Sequence, residues 1–305
     1  GSYVLTNLAP GDYRIDISAP GQTGQSQQLT VQVGQVVALD LRLSQGAVQL
    51  GTVVVQGAAL VDRKTSELGT NVTAKQIESP PQNSRNFLAF ADLAPGVRFT
   101  TEPNGMVRLQ SGSQNQDNVN VFIDGVSQKN YILRGGVAGM DATRGNPFPQ
   151  SAIAEYKVIS QNYKAEFDQV SSAAITAVTK SGGNTLTGEA FWDHTGHNMT
   201  AYNPFEKTNK ANGNDRARFG QDQYGLSVGG PIKQDVAHFY LSYEGKNIEQ
   251  PRNVSLAPVA SLLPNAGLVP SLLAMQGSHV QRFKEHLLFS KIETDTFGFA
   301  RIVEW

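Results

Sequence analysis

Alternating apolar and polar residues dominate the first 45 positions of the chain. Tyr13, Ile15 and Ile17 are separated by charged residues, and residues 37–43 repeat the alternation. A period of two residues is typical of strands that bury one face, and Pro-Gly pairs separate these segments. We therefore predict that residues 1–45 form an antiparallel module, the C-terminal part of a β-sandwich.

A short run of β-branched residues follows at Thr52, Val53, Val54 and Val55, and ends at Gln56. Its surroundings are small and almost free of charge. This composition alone favours another buried strand.

Helix and strand patterns are mixed between residues 61 and 186. Ser84 is the predicted N-cap of a short helix that places Phe87, Leu88 and Ala91 on one face. Short apolar segments predict strands, and the sequence Ile-Asp-Gly-Val at 123–126 predicts a tight turn. The region is predicted to be an α+β domain. The predicted strands are 106–110, 119–123 and 156–159.

After residue 187 the strands lengthen and their two faces differ. Residues 224–228 and 239–243 place aromatic and aliphatic side chains on one face, and small or polar side chains on the other. This pattern indicates the hairpin of an outer-membrane barrel. A water-soluble antiparallel sheet with one wet face has the same pattern, so both interpretations stay open on the pattern alone.

Composition and charge exclude several classes of function. The chain has 305 residues with 25 Lys and Arg against 26 Asp and Glu, so no basic excess indicates a nucleic-acid partner. It has no cysteine, which excludes disulfides and thiolate chemistry. Apolar residues make up 39% and charged residues 17%, and this polar composition favours turns and strands. The sequence has no transmembrane helix of about 18 apolar residues.

Three local motifs imitate catalytic or binding sites. Ser227 lies in a G-x-S-x-G sequence, but Gly-Gly-Pro at 229–231 cannot start the helix that a hydrolase nucleophile requires. His194 and His197 are two imidazoles where zinc needs three or four ligands. The glycines at 182–183 follow a lysine, the reverse of a P-loop order. We predict no catalytic residue, metal site, cofactor or enzymatic activity.

Several segments in one order together resemble a known family, the TonB-dependent outer-membrane receptors. The resemblance is to their Oar-like branch, which carries an N-terminal carboxypeptidase-regulatory-like domain. The segments are 52–57 (TVVVQG), 84–87 (SRNF), 93–97 (LAPGV), 120–126 (NVFIDGV), 163–167 (YKAEF), 178–185 (VTKSGGNT), 188–191 (GEAF), 229–232 (GGPI) and 239–245 (FYLSYEG).

The resemblance implies a mainly β fold with an α+β plug in the outer membrane of a Gram-negative bacterium. It implies four regions: the carboxypeptidase-regulatory-like end at 1–45, a linker at 46–60, the plug at 61–186 and initial barrel strands at 187–305. The implied partners are the periplasmic C-terminal domain of TonB, an unknown extracellular ligand and outer-membrane lipid. The implied TonB-binding residues are Thr52, Val53, Val54, Val55 and Gln56, which shifts the interpretation of the valines from buried strand to docking strand.

The ends of the sequence suggest a piece of a longer polypeptide. The chain starts at Gly1 without an initiator methionine and stops at Trp305 within a pattern. About 120 residues after the plug supply about four to six strands, too few to close a roughly 22-stranded barrel. We expect this chain alone not to transport. The competing interpretation is a secreted or surface β-sandwich protein for adhesion or carbohydrate binding.

Overall fold

The computed structural model describes the chain in several stretches. These are residues 3–5, 8, 10–17, 19, 25–37, 39, 66–78, 84–101, 107–112, 114, 118–130, 132, 137, 145–202, 207, 218–254, 270–271, 274–275 and 277–294. The chain divides into two compact units, Gly1–Lys180 and Ser181–Trp305. In the described stretches, no helix has the length and apolar character that crossing a membrane requires.

The first unit begins with a two-stranded antiparallel hairpin. Strand β1, Gly11–Ile17, pairs with β2, Gln25–Val31, and Tyr13 lies opposite Leu29. The apolar residues of β1 are half-buried and alternate with exposed ones, as the pattern predicts. The remaining predicted strand of this module, 37–43, falls almost entirely outside the described residues.

A five-stranded mixed sheet forms the centre of the first unit. Its strand order is β3-β8-β9-β6-β7, and β6 and β9 are parallel while the other neighbours are antiparallel. Among the described strands, β3 and β7 are therefore its edges. The strands are β3 (Leu68–Val72), β6 (Val119–Ile123), β7 (Val126–Ser127), β8 (Ile153–Gln161) and β9 (Ala173–Thr179).

Short helices and a small hairpin cover this sheet. Helix α1 spans Ala74–Glu78, and 3-10 helices span Phe87–Leu93 and Gln150–Ala152. Strands β4, Val97–Thr101, and β5, Val107–Ser111, form the hairpin.

Apolar side chains from these elements form the core of the first unit. Phe87, Leu88 and Ala91 are fully buried, as predicted. The predicted N-cap is wrong, because the side chain of Asn86, and not Ser84, accepts the N–H of Leu88 at 3.0 Å.

The predicted tight turn lies between β6 and β7. Asp124 and Gly125 have φ of 48° and 82°, the left-handed pair that a two-residue hairpin of the primed type requires. The Asp124 carboxylate accepts hydrogen bonds from the backbone N–H and the hydroxyl of Thr179, at 2.9 and 2.6 Å. The turn is thereby fixed to the end of β9.

The second unit is a four-stranded antiparallel meander. Strands β10 (Thr187–Gly196), β11 (Gly220–Lys233), β12 (Ala237–Val254) and β13 (Gly277–Thr294) pair in sequence order. A three-residue turn joins β11 to β12, whereas more than twenty residues separate the other neighbouring strands. In the described part of the chain the sheet is open, with β10 and β13 at its edges.

Candidate functional site

The predicted TonB-binding residues, Thr52, Val53, Val54, Val55 and Gln56, lie outside the described residues. The structure describes residues on both sides of them, up to Leu39 and again from Ser66. The contacts of the residues before and after this segment are therefore described.

Residues before and after the undescribed segment contact the same side chain, that of Lys157 in β8. The Lys157 ammonium lies 2.9 Å from a carboxylate oxygen of Glu67, directly before β3. It also donates to the backbone carbonyl of Gly34 at 3.5 Å. The side chains of Lys157 and Glu67 are only 10% and 4% exposed, and a buried pair of this kind is costly to break by removing one partner.

The segment before the gap makes further polar contacts with the sheet. The amide of Asn71 in β3 donates to Gln32 at 2.7 Å, and the backbone N–H of Val33 donates to the Glu155 carboxylate. Burial raises the pKa of Glu155, and the hydrogen bond from Val33 opposes that shift. Residues 32–35 are therefore packed against β3 and β8.

The four-stranded sheet of the second unit has several large exposed apolar residues on one side and several buried polar residues on the other. We call the side with Trp192, Leu226, Tyr243 and Leu288 the apolar face. On it Trp192 is 70% and Leu288 72% exposed. The opposite side, the polar face, has buried Gln223, Ser227, Ser242, Glu244 and Lys246, with Ser242 at 0%. Buried Tyr240 and Ile248 and half-buried Phe289 are also on this side. A water-soluble sheet has the reverse arrangement.

The apolar face ends at one level across the strands. Trp192 pairs with Tyr224, and Gly245 lies between Tyr224 and His286 in the register. The Tyr243 hydroxyl and a His286 ring nitrogen are 2.8 Å apart, and these two rings are stacked. Aromatic residues at one level are typical of the girdle where a barrel leaves the hydrocarbon.

Charged residues begin on this face directly beyond the aromatic level. His194 lies 2.7 Å from the Asp222 carboxylate, and Arg282 lies 2.8 Å from Glu249. The apolar part of β12 from Phe239 to the aromatic level corresponds to about 20 Å of strand, which at the tilt of a barrel strand covers about 15 Å of the roughly 25 Å apolar band of a barrel. The long connections lie at the charged end and the three-residue turn at the other.

The G-x-S-x-G motif is part of an uninterrupted strand. Ser227 is buried in the middle of β11 and lies opposite Ser242. A Cβ on Gly225 would lie 2.6 Å from the Phe191 ring, and one on Gly229 would lie 2.8 Å from the Tyr240 ring. The two glycines make room for cross-strand aromatic rings, so the motif is explained by packing.

The histidine and glycine motifs also have local contacts. His194 lies opposite Asp222 of the neighbouring strand β11. No group of three or more potential metal ligands occurs in the stretches that the structure describes. In residues 181–184, the Asn184 side chain bonds to Asp235 and lies 2.9 Å from His238. A Cβ on Gly182 would lie 2.2 Å from the carbonyl oxygen of Phe239. These residues therefore fasten the chain to the turn between β11 and β12.

The sequence analysis did not predict the buried ion pair between Lys157 and Glu67. Lys157 and Glu67 are separated by 90 positions, and no local pattern links them. The one signal is a lysine at 157 within the otherwise apolar centre of β8, since a lysine there requires a buried partner.

Comparison with known proteins gives matches to outer-membrane proteins. Residues 178–280 match the family model of the outer membrane beta barrel domain. The chain is 24% identical over 252 residues to the TonB-dependent transporter Oar of Myxococcus xanthus, which covers 80% of this chain and 23% of Oar. This chain thus spans about a quarter of the length of that relative.

Two solved structures align with part of this chain. The outer membrane transporter YddB of Escherichia coli aligns over 74% of this chain and 30% of its own, with 17% identity and a TM-score of 0.48. The siderophore receptor PirA of Acinetobacter baumannii aligns over 59% of this chain and 24% of its own, with 18% identity and a TM-score of 0.42.

Proposed function

We propose that this chain, which is related to the TonB-dependent receptors of the Gram-negative outer membrane, forms the plug and part of the barrel wall of a transporter. The chain carries an outer membrane beta barrel domain and is mainly β. In the proposal, residues 61–186 are the plug and residues 187–305 belong to the wall. Residues 1–45 are the end of a carboxypeptidase-regulatory-like module.

The proposed mechanism has two partners besides lipid. An extracellular ligand binds at the charged end of the wall, where the long connections lie. The periplasmic domain of TonB pairs with Thr52, Val53, Val54, Val55 and Gln56 by strand addition, because a β-branched segment with free backbone groups extends a partner's sheet. TonB supplies the energy that moves the plug.

The observation that carries the proposal is the apolar face of the second unit. Exposed Trp192, Leu226 and Leu288 beside buried Ser242 and Glu244 match a wall with lipid outside and a polar interior. A secreted β-sandwich for adhesion requires the opposite, with aromatic residues packed between two sheets. The arrangement therefore supports the transporter over the adhesion alternative.

The lipid contact is testable by tryptophan quenching. The chain has two tryptophans, so Trp305→Phe leaves Trp192 as the single reporter. In vesicles of brominated phosphatidylcholine, we expect strong quenching of Trp192, because its ring lies on the apolar face at the edge of the hydrocarbon.

A matched control places the reporter on the polar face. In the control chain Trp192→Phe and Trp305→Phe are combined with Phe191→Trp, which moves the indole by one residue to the opposite side of β10. We expect weak quenching there. Equal quenching of both chains, or none in either, would contradict a lipid-facing wall.

A further inference from the structure

Strand β13 changes from apolar to cationic along the apolar face of the sheet. Its alternate residues lie on one side and form a line that we call the β13 stripe: Ile292, Ser290, Leu288, His286, Lys284 and Arg282. All six side chains are exposed. One strand therefore offers an apolar surface at one end and two cations at the other.

The change occurs at the aromatic level of the sheet. In the register, His286 lies in the row of Trp192 and Tyr224, and Lys284 is two residues further along the strand, about 7 Å away. Aromatic girdles mark where a barrel leaves the hydrocarbon, and long basic side chains next to them extend into the headgroup region. In such a wall, Lys284 and Arg282 lie at the depth of the lipid phosphates.

The carboxylates on the same face neutralise the two cations unequally. Glu249 lies opposite Arg282 and accepts from its Nε at 2.8 Å, which uses one of the five N–H donors of the guanidinium. Among the described residues, the Lys284 ammonium has no ion-pair partner, and the residue opposite it in β12 is uncharged. The Asp222 carboxylate at the same level is on β11, two strands away, and lies 2.7 Å from His194. The β13 stripe therefore retains a positive charge at Lys284.

We propose that the β13 stripe binds a lipid with an anionic phosphate headgroup, with the acyl chains along Leu288 and Ile292 and the phosphate between Lys284 and Arg282. Arginine and lysine are the side chains that bind phosphate by charge-assisted hydrogen bonds. The inference rests on the proposed function, which places this side of the sheet in lipid.

The charge at Lys284 favours one class of lipid. In a zwitterionic lipid such as phosphatidylethanolamine, the headgroup ammonium competes with Lys284 for the phosphate. In lipid A, the phosphorylated glucosamine lipid of the outer leaflet, the phosphates have no ammonium beside them. We therefore infer that the β13 stripe prefers lipid A.

Lipid preference is measured by native mass spectrometry of the full chain in detergent. The chain is titrated with diphosphoryl lipid A or with phosphatidylethanolamine, and inorganic phosphate is added as a competitor. We expect lipid A to bind about tenfold more tightly than phosphatidylethanolamine, because a charge-assisted contact contributes about one decade in affinity. Inorganic phosphate should not displace lipid A, since it has no acyl chains to contact Leu288 and Ile292.

Two variants change the charge of the β13 stripe in opposite directions. Lys284→Gln removes the charge that has no partner and should weaken lipid A binding about tenfold, with little effect on phosphatidylethanolamine. Glu249→Gln removes the carboxylate that competes for Arg282 and should strengthen lipid A binding. A purely structural role of the Arg282–Glu249 pair predicts no such gain.

A lysine of the first unit provides the matched control. Lys75 in helix α1 is exposed, so Lys75→Gln changes the net charge by the same amount without altering the β13 stripe, and lipid A binding should stay unchanged. Hydrogen exchange of β12 and β13 reports whether the sheet is intact. We expect no change there in any variant, because exposed charges contribute little to stability.

The lipid-facing wall and the β13 stripe can fail separately. Quenching of Trp192 by brominated phosphatidylcholine tests the wall, and its absence would overturn both. Quenching of Trp192 together with equal lipid A affinities of the unchanged chain and Lys284→Gln would overturn the β13 stripe and leave the wall. An equal loss in Lys75→Gln would assign the preference to net charge and contradict a site. Displacement of lipid A by inorganic phosphate would contradict a lipid as the ligand.

Discussion

The two units of the chain bury opposite sides of the same alternating pattern. In the first unit, Val121, Tyr156 and Ile175 are fully buried in a core. In the second unit, Leu288 and Ile292 are exposed on a sheet whose polar face is buried. Alternation therefore defines two faces, and the surroundings decide which of them turns inward: water drives apolar residues inside, whereas lipid accepts them outside.

The strands of the second unit are also longer than those described in the first unit. Among the described strands of the first unit the longest is β8 with nine residues, whereas β12 and β13 have 18 residues each. A strand in a compact core is limited by the width of that core. A strand in a barrel wall has to cross the hydrocarbon at a tilt and extends beyond it, which explains the charged ends of β12 and β13.

The largest expected effect comes from truncating an apolar residue that is buried in the first unit. Phe87 is fully buried, with its ring 5.6 Å from that of Tyr156 in an edge-to-face contact. Phe87→Ala should lower the free energy of unfolding of the first unit by about 3–5 kcal/mol, the usual cost of an aromatic cavity. Hydrogen exchange of β8 and β9 in the detergent-solubilised chain measures this loss.

The counterpart in the second unit is Leu288→Ala. Because Leu288 is exposed on the apolar face, its truncation leaves no cavity, and we expect a loss below about 1 kcal/mol in the protection of β12 and β13. A loss as large as that of Phe87→Ala would mean that Leu288 is packed inside protein, and the contrast between the units would be lost.

A smaller effect is expected where the chain enters the second unit. Gly182→Ala places a Cβ 2.2 Å from the Phe239 carbonyl oxygen and 2.8 Å from that of Gly230. The backbone has to move, at a cost of about 1–3 kcal/mol. We expect faster hydrogen exchange at the turn between β11 and β12.

Gly183 is the natural control for this substitution. A Cβ at Gly183 would meet no atom within 4 Å, so Gly183→Ala should leave the exchange of the same amides almost unchanged. Equal effects of the two substitutions would show that backbone freedom, and not close approach, is the reason for glycine at 182.

Local signals allowed much of the fold to be predicted. The turn at Asp124 and Gly125, the buried face at Phe87, Leu88 and Ala91, and the two faces of β11 and β12 all depend on residues within a few positions of one another. In the second unit the pattern alone left a water-soluble sheet open, since alternation does not say which face is wet.

The misses have physical causes as well. Strand β13 was not predicted, because Leu287, Leu288 and Phe289 are consecutive apolar residues that interrupt the alternation. Asn86 displaced Ser84 as the cap because the helix begins two residues later than the serine implies. The Lys157–Glu67 pair depends on β3 and β8 becoming neighbours, and no local pattern encodes that pairing.

The smallest expected effect concerns the polar contact of Val33 with Glu155. Burial raises the pKa of Glu155 above its ordinary value, so the folded chain binds this proton more tightly than the unfolded chain does. The resulting stabilisation is present below the ordinary pKa of about 4.3 and is lost as the pH rises through the folded pKa. Ionised Glu155 therefore costs stability at neutral pH.

Glu155→Gln keeps an oxygen to accept the Val33 N–H and removes the charge. Relative to the unchanged chain, the variant should become more stable between pH 4 and pH 7, by less than about 1 kcal/mol because solvent screens a half-buried carboxylate. Urea unfolding of the first unit, followed by near-ultraviolet circular dichroism, measures the difference. Glu166→Gln, at a side chain that is 64% exposed, should show no change of stability with pH of this kind. If both variants gave the same change, overall charge would be its cause, and the burial of Glu155 would not.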